Sequence, residues 1–403
     1  MAKEWDAIVV GARCAGSPAA MLLARKGYNV LLVDRATFPS DTLSTHMLHP
    51  RAIASLARWG LLDRVTATGA PEIERYAFDF GPVVISGRTA AVDGIASAYG
   101  PRRTVLDKIL VDAAAEAGAE VREGFAFEEL LDGDGRVAGL RGHDHDGKEI
   151  TERARVVVGA DGRNSRVAKA VRPEQYNEKP RLAALYYSYW SGLRTDGFET
   201  IIRPERGWAA WPTNDDLTLL VVGWPYAEFD ANRHDVEGNV LKTLELEPSF
   251  AERVRAAKRE EPFAGGSVPG FFRKPYGPGW ALVGDAGYNK DPITAQGITD
   301  AFRDAELCAT ALDEAFTGAR SFEDAMFDYQ TARDEDVGPM YEFTAQLASL
   351  EPPPEEMQHL LGAMAGNQQA MDGFVSAYAG SISPAEFFAE ENVGRIMSAG
   401  SAA

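Results

Sequence analysis

Gly11, Arg13, Ala15 and Gly16 lie in the stretch Gly11-Ala12-Arg13-Cys14-Ala15-Gly16. A short apolar run, Ala7-Ile8-Val9-Val10, precedes it and a helical pattern, Ala19-Ala20-Met21-Leu22-Leu23-Ala24, comes after it. A second apolar run, Val30-Leu31-Leu32-Val33, closes on Asp34 and Arg35. These residue types at this spacing suit a pyrophosphate. Gly11 permits a tight turn, Gly16 lets the helix pack close to the strand, and the amides at the helix start face an anion. Asp34, about 20 residues on, is placed to accept the hydroxyls of an adenosine ribose. Arg13 fills the position usually given to a second glycine, which lets phosphates approach the backbone. The pattern is therefore G-x-R-x-x-G, and on this stretch alone an ordinary βαβ unit reads the same way.

Two later junctions again run a buried strand into a glycine and an acid. One is Arg155-Val156-Val157-Val158-Gly159-Ala160-Asp161-Gly162, and the other is Trp280-Ala281-Leu282-Val283-Gly284-Asp285-Ala286-Gly287. A long helical pattern starts soon after the second, near Gly297 and Ile298. His46 and His49 occupy a loop of turn formers and hydroxyls, Arg35 to Pro50. His46 reads equally as a ligand contact or base and as a loop histidine bonded to backbone. The six histidines and two cysteines show no metal-ligand spacing, so no metal site is expected. His143 and His145 alternate within what reads as a polar hairpin turn, and Cys14 reads as a small buried residue.

Positioning these groups takes a doubly wound α/β unit with a second sheet beside it. After the loop, Ile53, Leu56, Ala57 and Leu61 share one helix face, and residues 71–100 alternate weakly as strands. A helix is expected from Arg103 to about Ala117, then a strand near Glu120-Val121-Arg122 and a hairpin around Asp132-Gly133-Asp134-Gly135. From about 172 to 269 the pattern becomes aromatic strands, a largely antiparallel sheet with a helical insertion near 236–260. Tyr187 and Tyr189 alternate there with Tyr186 and Trp190, so both faces carry rings. The end of the chain reads as helices interrupted at Pro352-Pro353-Pro354.

A chain of 403 residues exceeds one typical core. The expected division assigns 1–70, 101–171 and 270–345 to a Rossmann-like domain. Residues 71–100 and 172–269 form an interleaved antiparallel-sheet substrate domain, and 346–403 a helical C-terminal region. The formal charge of −19 argues against nucleic acid and anionic membrane surfaces as partners. No run of 18 apolar residues signals a membrane span, and the first strand starts too early to leave room for a signal peptide. With two cysteines there is no disulfide framework, so a cytoplasmic monomer or homodimer is expected.

The G-x-R-x-x-G unit ending in Asp34, the Gly159-Ala160-Asp161-Gly162 turn and the Gly284-Asp285-Ala286 turn resemble, in order, three fingerprints of one family. These are the FAD-dependent monooxygenases of the para-hydroxybenzoate hydroxylase type. Arg103 with Leu106-Asp107 is similar to that family's arginine-led helix, and geranylgeranyl reductases and flavin-dependent halogenases are wider relatives. The resemblance covers about residues 1–315. It implies non-covalent FAD held by Gly11, Arg13, Ala15, Gly16, Asp34, Arg35, Thr45, Arg103, Asp161, Gly284, Asp285, Gly297 and Ile298. Asp285 would take the ribityl hydroxyls, the Gly297–Ile298 helix start would face the flavin pyrimidine edge, and Arg103 would reach the phosphates or hold the Asp161 turn. Pro292 would line one flavin face, and His46 and Pro292 are the candidate catalytic residues. The Asp161 turn is also implicated in nicotinamide binding. Two departures stand out: Gly287-Tyr288-Asn289 after the Gly-Asp pair, and Ser44-Thr45-His46 where many hydroxylases carry arginines.

The activity implied is oxygenation of a small, aromatic organic substrate through a C4a-hydroperoxyflavin, with NAD(P)H as transient co-substrate and O2 as oxidant. No second glycine-rich βαβ unit offers a dedicated nicotinamide domain. Halogenases need an early lysine and a W-x-W-x-I-P motif. This chain has no lysine between Lys26 and Lys108, and Trp208-Ala209-Ala210-Trp211-Pro212 is spaced differently. A reductase of isoprenoid double bonds is the alternative enzyme, and a flavin-binding redox sensor is the non-catalytic one.

Overall fold

The computed structural model describes residues 4–400. Residues 1–3 and 401–403, at the ends of the first and last expected segments, lie outside the described residues. The apolar run Ile8-Val9-Val10 is buried throughout, as a parallel strand covered on both faces must be. Its strand, Glu4–Val10, lies between Val30–Val33 and Glu149–Gly159 and is parallel to both. Trp280–Leu282 continues the sheet beyond Glu149–Gly159, and Glu120–Arg122 continues it beyond Val30–Val33. The register sets where the chain leaves this sheet. Val10 is level with Val33 and with Gly159, and Gly159 is level with Leu282. Four segments therefore emerge together at its carboxyl edge, the edge where open α/β sheets bind ligands.

Packing at that edge requires glycine at two positions. Gly11 has φ +104°, and a Cβ there would lie 2.4 Å from the Ala160 carbonyl oxygen. A Cβ on Gly16 would lie 1.7 Å from the carbonyl oxygen of Gly11, so the helix Gly16–Arg25 sits hard against the turn. Helices Arg103–Glu116 and Gly297–Thr317 share a core with it, through Leu106, Leu110, Phe302 and Leu312.

The aromatic segments form the second sheet. Ala183–Ser191, Leu217–Pro225, Arg206–Pro212 and Phe198–Arg203 run antiparallel in that order. Tyr76–Asp79 then joins Phe198–Arg203 in parallel, followed by antiparallel Val84–Gly87. The early excursion thus supplies two strands to this sheet, while Glu72–Ile73 and Ala98–Tyr99 pair with each other. The two-residue period splits the rings. Tyr187 and Tyr189 face the C-terminal helices with Trp211. Tyr186 and Trp190 face the opposite side, against Val240, Leu244 and Phe250 from the helical insertion.

The C-terminal helices are Phe322–Ala348, Glu355–Met364, Gln368–Tyr378, Pro384–Phe387 and Glu390–Gly400. Phe343, Phe374, Tyr378 and Phe387 pack on the sheet, whereas Tyr341 packs with Phe272 and Tyr288 elsewhere. Ala57 departs from its expected apolar face and is exposed, because the helix Pro50–Arg58 ends one residue later. Asp144, His145 and Asp146 form the tip of the expected polar hairpin. The Asp144 carboxylate caps it by accepting the amides of Asp146 and Lys148. Among the described residues no helix is long and apolar enough to cross a membrane.

Candidate functional site

The carboxyl edge of the first sheet gathers the expected residues. Asp34, half-buried, accepts the Ala12 amide at 2.7 Å with one oxygen and the Ala36 amide at 2.8 Å with the other. Each oxygen keeps a second lone pair for a further donor. Arg35 is exposed beside it. Ala15 is the N-cap of helix Gly16–Arg25, and no side chain caps that helix. The Ser17 amide donates to the Arg13 carbonyl at 3.0 Å and Pro18 has no amide hydrogen, so in this first turn the Gly16 amide is the one left for another acceptor.

Arg13 does not block the turn. Its guanidinium leaves sideways, with Nη1 2.5 Å from Asp107 and Nη2 2.9 Å from the Ser40 hydroxyl, and it lies over the Phe38 ring. Arg103 reaches the same carboxylate with Nε at 2.9 Å and Nη2 at 3.0 Å, and the Cys14 thiol reaches it at 3.4 Å. Burial pushes that thiol far above its ordinary pKa, so Cys14 stays protonated. Two guanidiniums on one buried carboxylate leave a net positive charge beside the glycine turn, where a pyrophosphate would place its negative charge.

Asp161 is engaged locally. Its carboxylate accepts the Ser165 hydroxyl and the amides of Arg166 and Val167, at 2.6 and 3.3 Å, capping the short helix Arg166–Val171. The hydrogen bonds of Arg103 go to Asp107, so the Asp161 turn is held by its own helix and not by Arg103.

Gly284 has φ +57° and donates its amide to Asp304 at 3.0 Å, which fixes the turn that presents Asp285. Asp285 keeps solvent access, yet protein crowds it enough to push its carboxyl up to about 6, by burial first and the Asp300 charge second. Gly297 is likewise exposed between buried Gln296 and Ile298 at the start of the 21-residue helix, and a Cβ there would meet nothing within 4 Å. Open space bounded by a carboxylate and a helix N-terminus fits a ligand with a polyol and an electron-rich ring edge.

Half-buried Pro292 begins the connecting loop between them. That loop is tied down from several sides. His49 Nε2 lies 3.1 Å from the Thr294 carbonyl, the Tyr378 hydroxyl donates to the Ile293 carbonyl at 3.1 Å, and Asp291 accepts the Ile293 amide at 3.1 Å and the Ala183 amide at 3.3 Å. In the departing Gly287-Tyr288-Asn289 segment Tyr288 is core, its hydroxyl accepting from Lys290 at 2.8 Å. Lys290 is in turn paired with Asp300.

The Ser44-Thr45-His46 loop docks on the second sheet. The Ser44 amide donates to the Tyr187 hydroxyl at 3.1 Å, and Thr45 is half-buried. His46 is buried, with φ +41°, and its Nε2 lies 2.9 Å from the Tyr189 hydroxyl. Burial, then the charges of Arg103 and Arg102, lower its pKa to about 3, so the ring is neutral near pH 7. Arg102 covers the Tyr189 ring at 4.4 Å. The charge of Arg103 acts on both His46 and Asp285. The sequence does not single out Tyr187, Tyr189 or Arg102 as site residues, and only the period-two alternation of rings points towards the two tyrosines.

The model of an FAD binding domain matches residues 4–337. The chain belongs to that FAD binding domain family. This FAD-dependent oxidoreductase is 30% identical over 364 residues to digeranylgeranylglycerophospholipid reductase 1 of Methanopyrus kandleri, covering 87% of this chain and 91% of the reductase. Its fold is shared with the myxobacterial chondrochloren halogenase CndH, at TM-score 0.78 and 21% identity over 99% of this chain and 97% of the halogenase. It is also shared with the FAD-dependent monooxygenase PqsL of Pseudomonas aeruginosa, at TM-score 0.73 and 21% identity over 94% of this chain and 100% of PqsL. Membership of the family implies a small-molecule substrate and a reduced nicotinamide or flavin as electron source.

Proposed function

We propose that this flavoprotein is a monooxygenase of the para-hydroxybenzoate hydroxylase type, acting on a small aromatic substrate with NAD(P)H and O2. The observation that carries this reading is the buried aromatic wall beside the Ser44–His46 loop. Tyr187 and Tyr189 stand edge to face at 5.9 Å, each hydroxyl already bonded to the Ser44–His46 loop. Such a wall offers a planar ring complementary contacts and keeps water out, and oxygen transfer requires a dry site. Bound FAD supplies the electron transfer and oxygen activation.

The chain's own residues bind and orient. Gly11, Gly16 and the uncapped helix start accept the pyrophosphate, with the Arg13–Asp107–Arg103 cluster adding positive charge. Asp34 takes the ribose and Asp285 the ribityl hydroxyls. The Gly297–Ile298 amides face the ring edge, with Pro292 against one ring face. His46 positions Tyr189 through its Nε2 and does not act as a base near neutral pH.

A second reading, reduction of an isoprenoid double bond, is favoured by one observation: the Methanopyrus kandleri reductase is matched over nearly its whole length. The two readings separate by isotope. FAD-loaded protein is given NAD(P)H under 18O2 with a panel of phenols and aminobenzoyl compounds, and anaerobically with geranylgeranyl glycerol ethers. Labelled oxygen in a product supports the oxygenase; hydrogen added across a double bond without O2 replaces it with the reductase.

A further inference from the structure

Lysine is seldom buried unless its charge is paired. Lys290 is 8% exposed and stands between two residues assigned to the flavin site, five positions after Asp285 and two before Pro292. Its ammonium donates to the Tyr288 hydroxyl at 2.8 Å and pairs with Asp300, itself 7% exposed. Asp300 lies in the first turn of helix Gly297–Thr317, three positions past Gly297. The pair therefore joins the connecting loop to the helix N-terminus.

The bonded charges around it are matched one for one. Arg303 Nη1 reaches Asp300 at 3.1 Å and Asp336 at 3.3 Å, and its Nη2 reaches Asp304 at 2.7 Å. Arg51 holds Asp336 at 2.9 Å. Lys290, Arg303 and Arg51 thus balance Asp300, Asp304 and Asp336, and loss of the lysine would leave one negative charge uncompensated. A buried ion pair adds little stability over apolar residues of similar volume, so stability does not account for this one. Its two charges also act on the flavin site with opposite signs, Asp300 raising the Asp285 carboxyl and Lys290 lowering it.

Flavin chemistry gives the pair a use. Reduction of FAD by two electrons and one proton, the equivalent of a hydride, leaves one negative charge at the pyrimidine edge, and a helix N-terminus stabilises that charge. A bare carboxylate in the first turn of the same helix would oppose it. We propose that Lys290 is a positioning residue for flavin reduction: by pairing with Asp300 it keeps the start of helix Gly297–Thr317 electrically positive and holds up the reduction potential of bound FAD. This role rests on the Gly297–Ile298 amides facing the ring edge, and it holds for oxygenation and for double-bond reduction alike.

The test is anaerobic reduction of the FAD-loaded protein by dithionite against a reference dye, without organic substrate. Lys290→Met should weaken the binding of reduced relative to oxidised FAD roughly tenfold, which lowers the two-electron potential by about 30 mV. Asp300→Asn should raise the potential by a similar amount, and the double variant should return it close to wild type. A merely structural role would move both single variants the same way. Retained flavin absorbance shows that a variant is loaded. If Lys290→Met loads no FAD, the other two variants carry the test, since the double variant must cancel the rise seen in Asp300→Asn. FAD binding to the apoprotein across pH is an independent readout: the midpoint set by Asp285 should rise in Lys290→Met and fall in Asp300→Asn. Potentials that stay unchanged, or that both single substitutions shift in one direction, overturn the proposal. In that event a pH midpoint that still moves puts the error in the placement of the ring edge, and one that does not puts it in the charge pair.

Discussion

Nη1 of Arg13 lies 2.5 Å from the carboxylate of Asp107, 94 positions away and fully buried. The departure from the usual glycine pattern therefore ties the opening turn to the helix that carries Arg103. Removing the carboxylate would leave two guanidiniums facing each other. Asp107→Ala is expected to lose about 3–5 kcal/mol of stability, the range for breaking a buried ion pair from one side. Asp107→Asn, which keeps an acceptor, should lose less. Urea unfolding of the FAD-loaded protein measures this, and an unchanged midpoint in Asp107→Ala would remove the cluster from the account.

Asp34 serves the turn before it serves any ligand, because its two oxygens hold the Ala12 and Ala36 amides. Asp34→Ala leaves both amides without that acceptor and removes the ribose contact. Weaker FAD binding by roughly ten- to a hundredfold is expected, equivalent to about 1.4–2.8 kcal/mol. Fluorescence titration of the apoprotein with FAD reads it directly, and wild-type affinity would refute the role.

The parts of this architecture legible in the sequence are those written locally. A buried strand needs a continuous apolar run, and a turn at its end needs glycine, so the three junctions at Gly11, Gly159 and Gly284 stand out. The same holds for the alternation of Tyr186 to Trp190, which the sheet divides between two cores. What the sequence hides are pairings between distant segments. Nothing in the spacing links Arg13 to Asp107, Tyr187 to Ser44, or Tyr378 to Ile293. The local use of Asp161 is readable in principle, since Asp161 precedes Ser165 by one helical turn at a helix start.

His46 should leave no trace in the pH dependence of turnover. Burial and two neighbouring arginines hold it neutral down to about pH 3, far below the usual histidine range. His46→Gln loses the ring contact with Tyr189 and should slow substrate turnover roughly tenfold. The shape of the pH–rate profile between about 5 and 8 should be the same in both proteins. A step near the ordinary histidine value of about 6.5 that vanishes in His46→Gln would show the ring titrating and acting as a base.

Asp285 should make FAD affinity depend on pH, with a sign that its surroundings dictate. In the cofactor-free protein its carboxyl is raised to about 6, by burial and then by Asp300. A folded-state value above the ordinary carboxylate range means the folded chain holds this proton more tightly than the unfolded one. The contribution to apoprotein stability is therefore fully present below about pH 4 and is lost as pH rises through about 6. Ribityl hydroxyls donate to the charged carboxylate, so bound FAD favours loss of the same proton. FAD affinity should accordingly rise by up to about tenfold per pH unit as pH climbs from about 5 towards about 6, then level off above about 7. The thermal stabilisation that FAD confers should grow across the same window. Asp285→Asn cannot titrate and should show weaker, flat binding. A wild-type affinity that does not change between about pH 5 and about pH 7 would mean that the ribityl chain is held by another group.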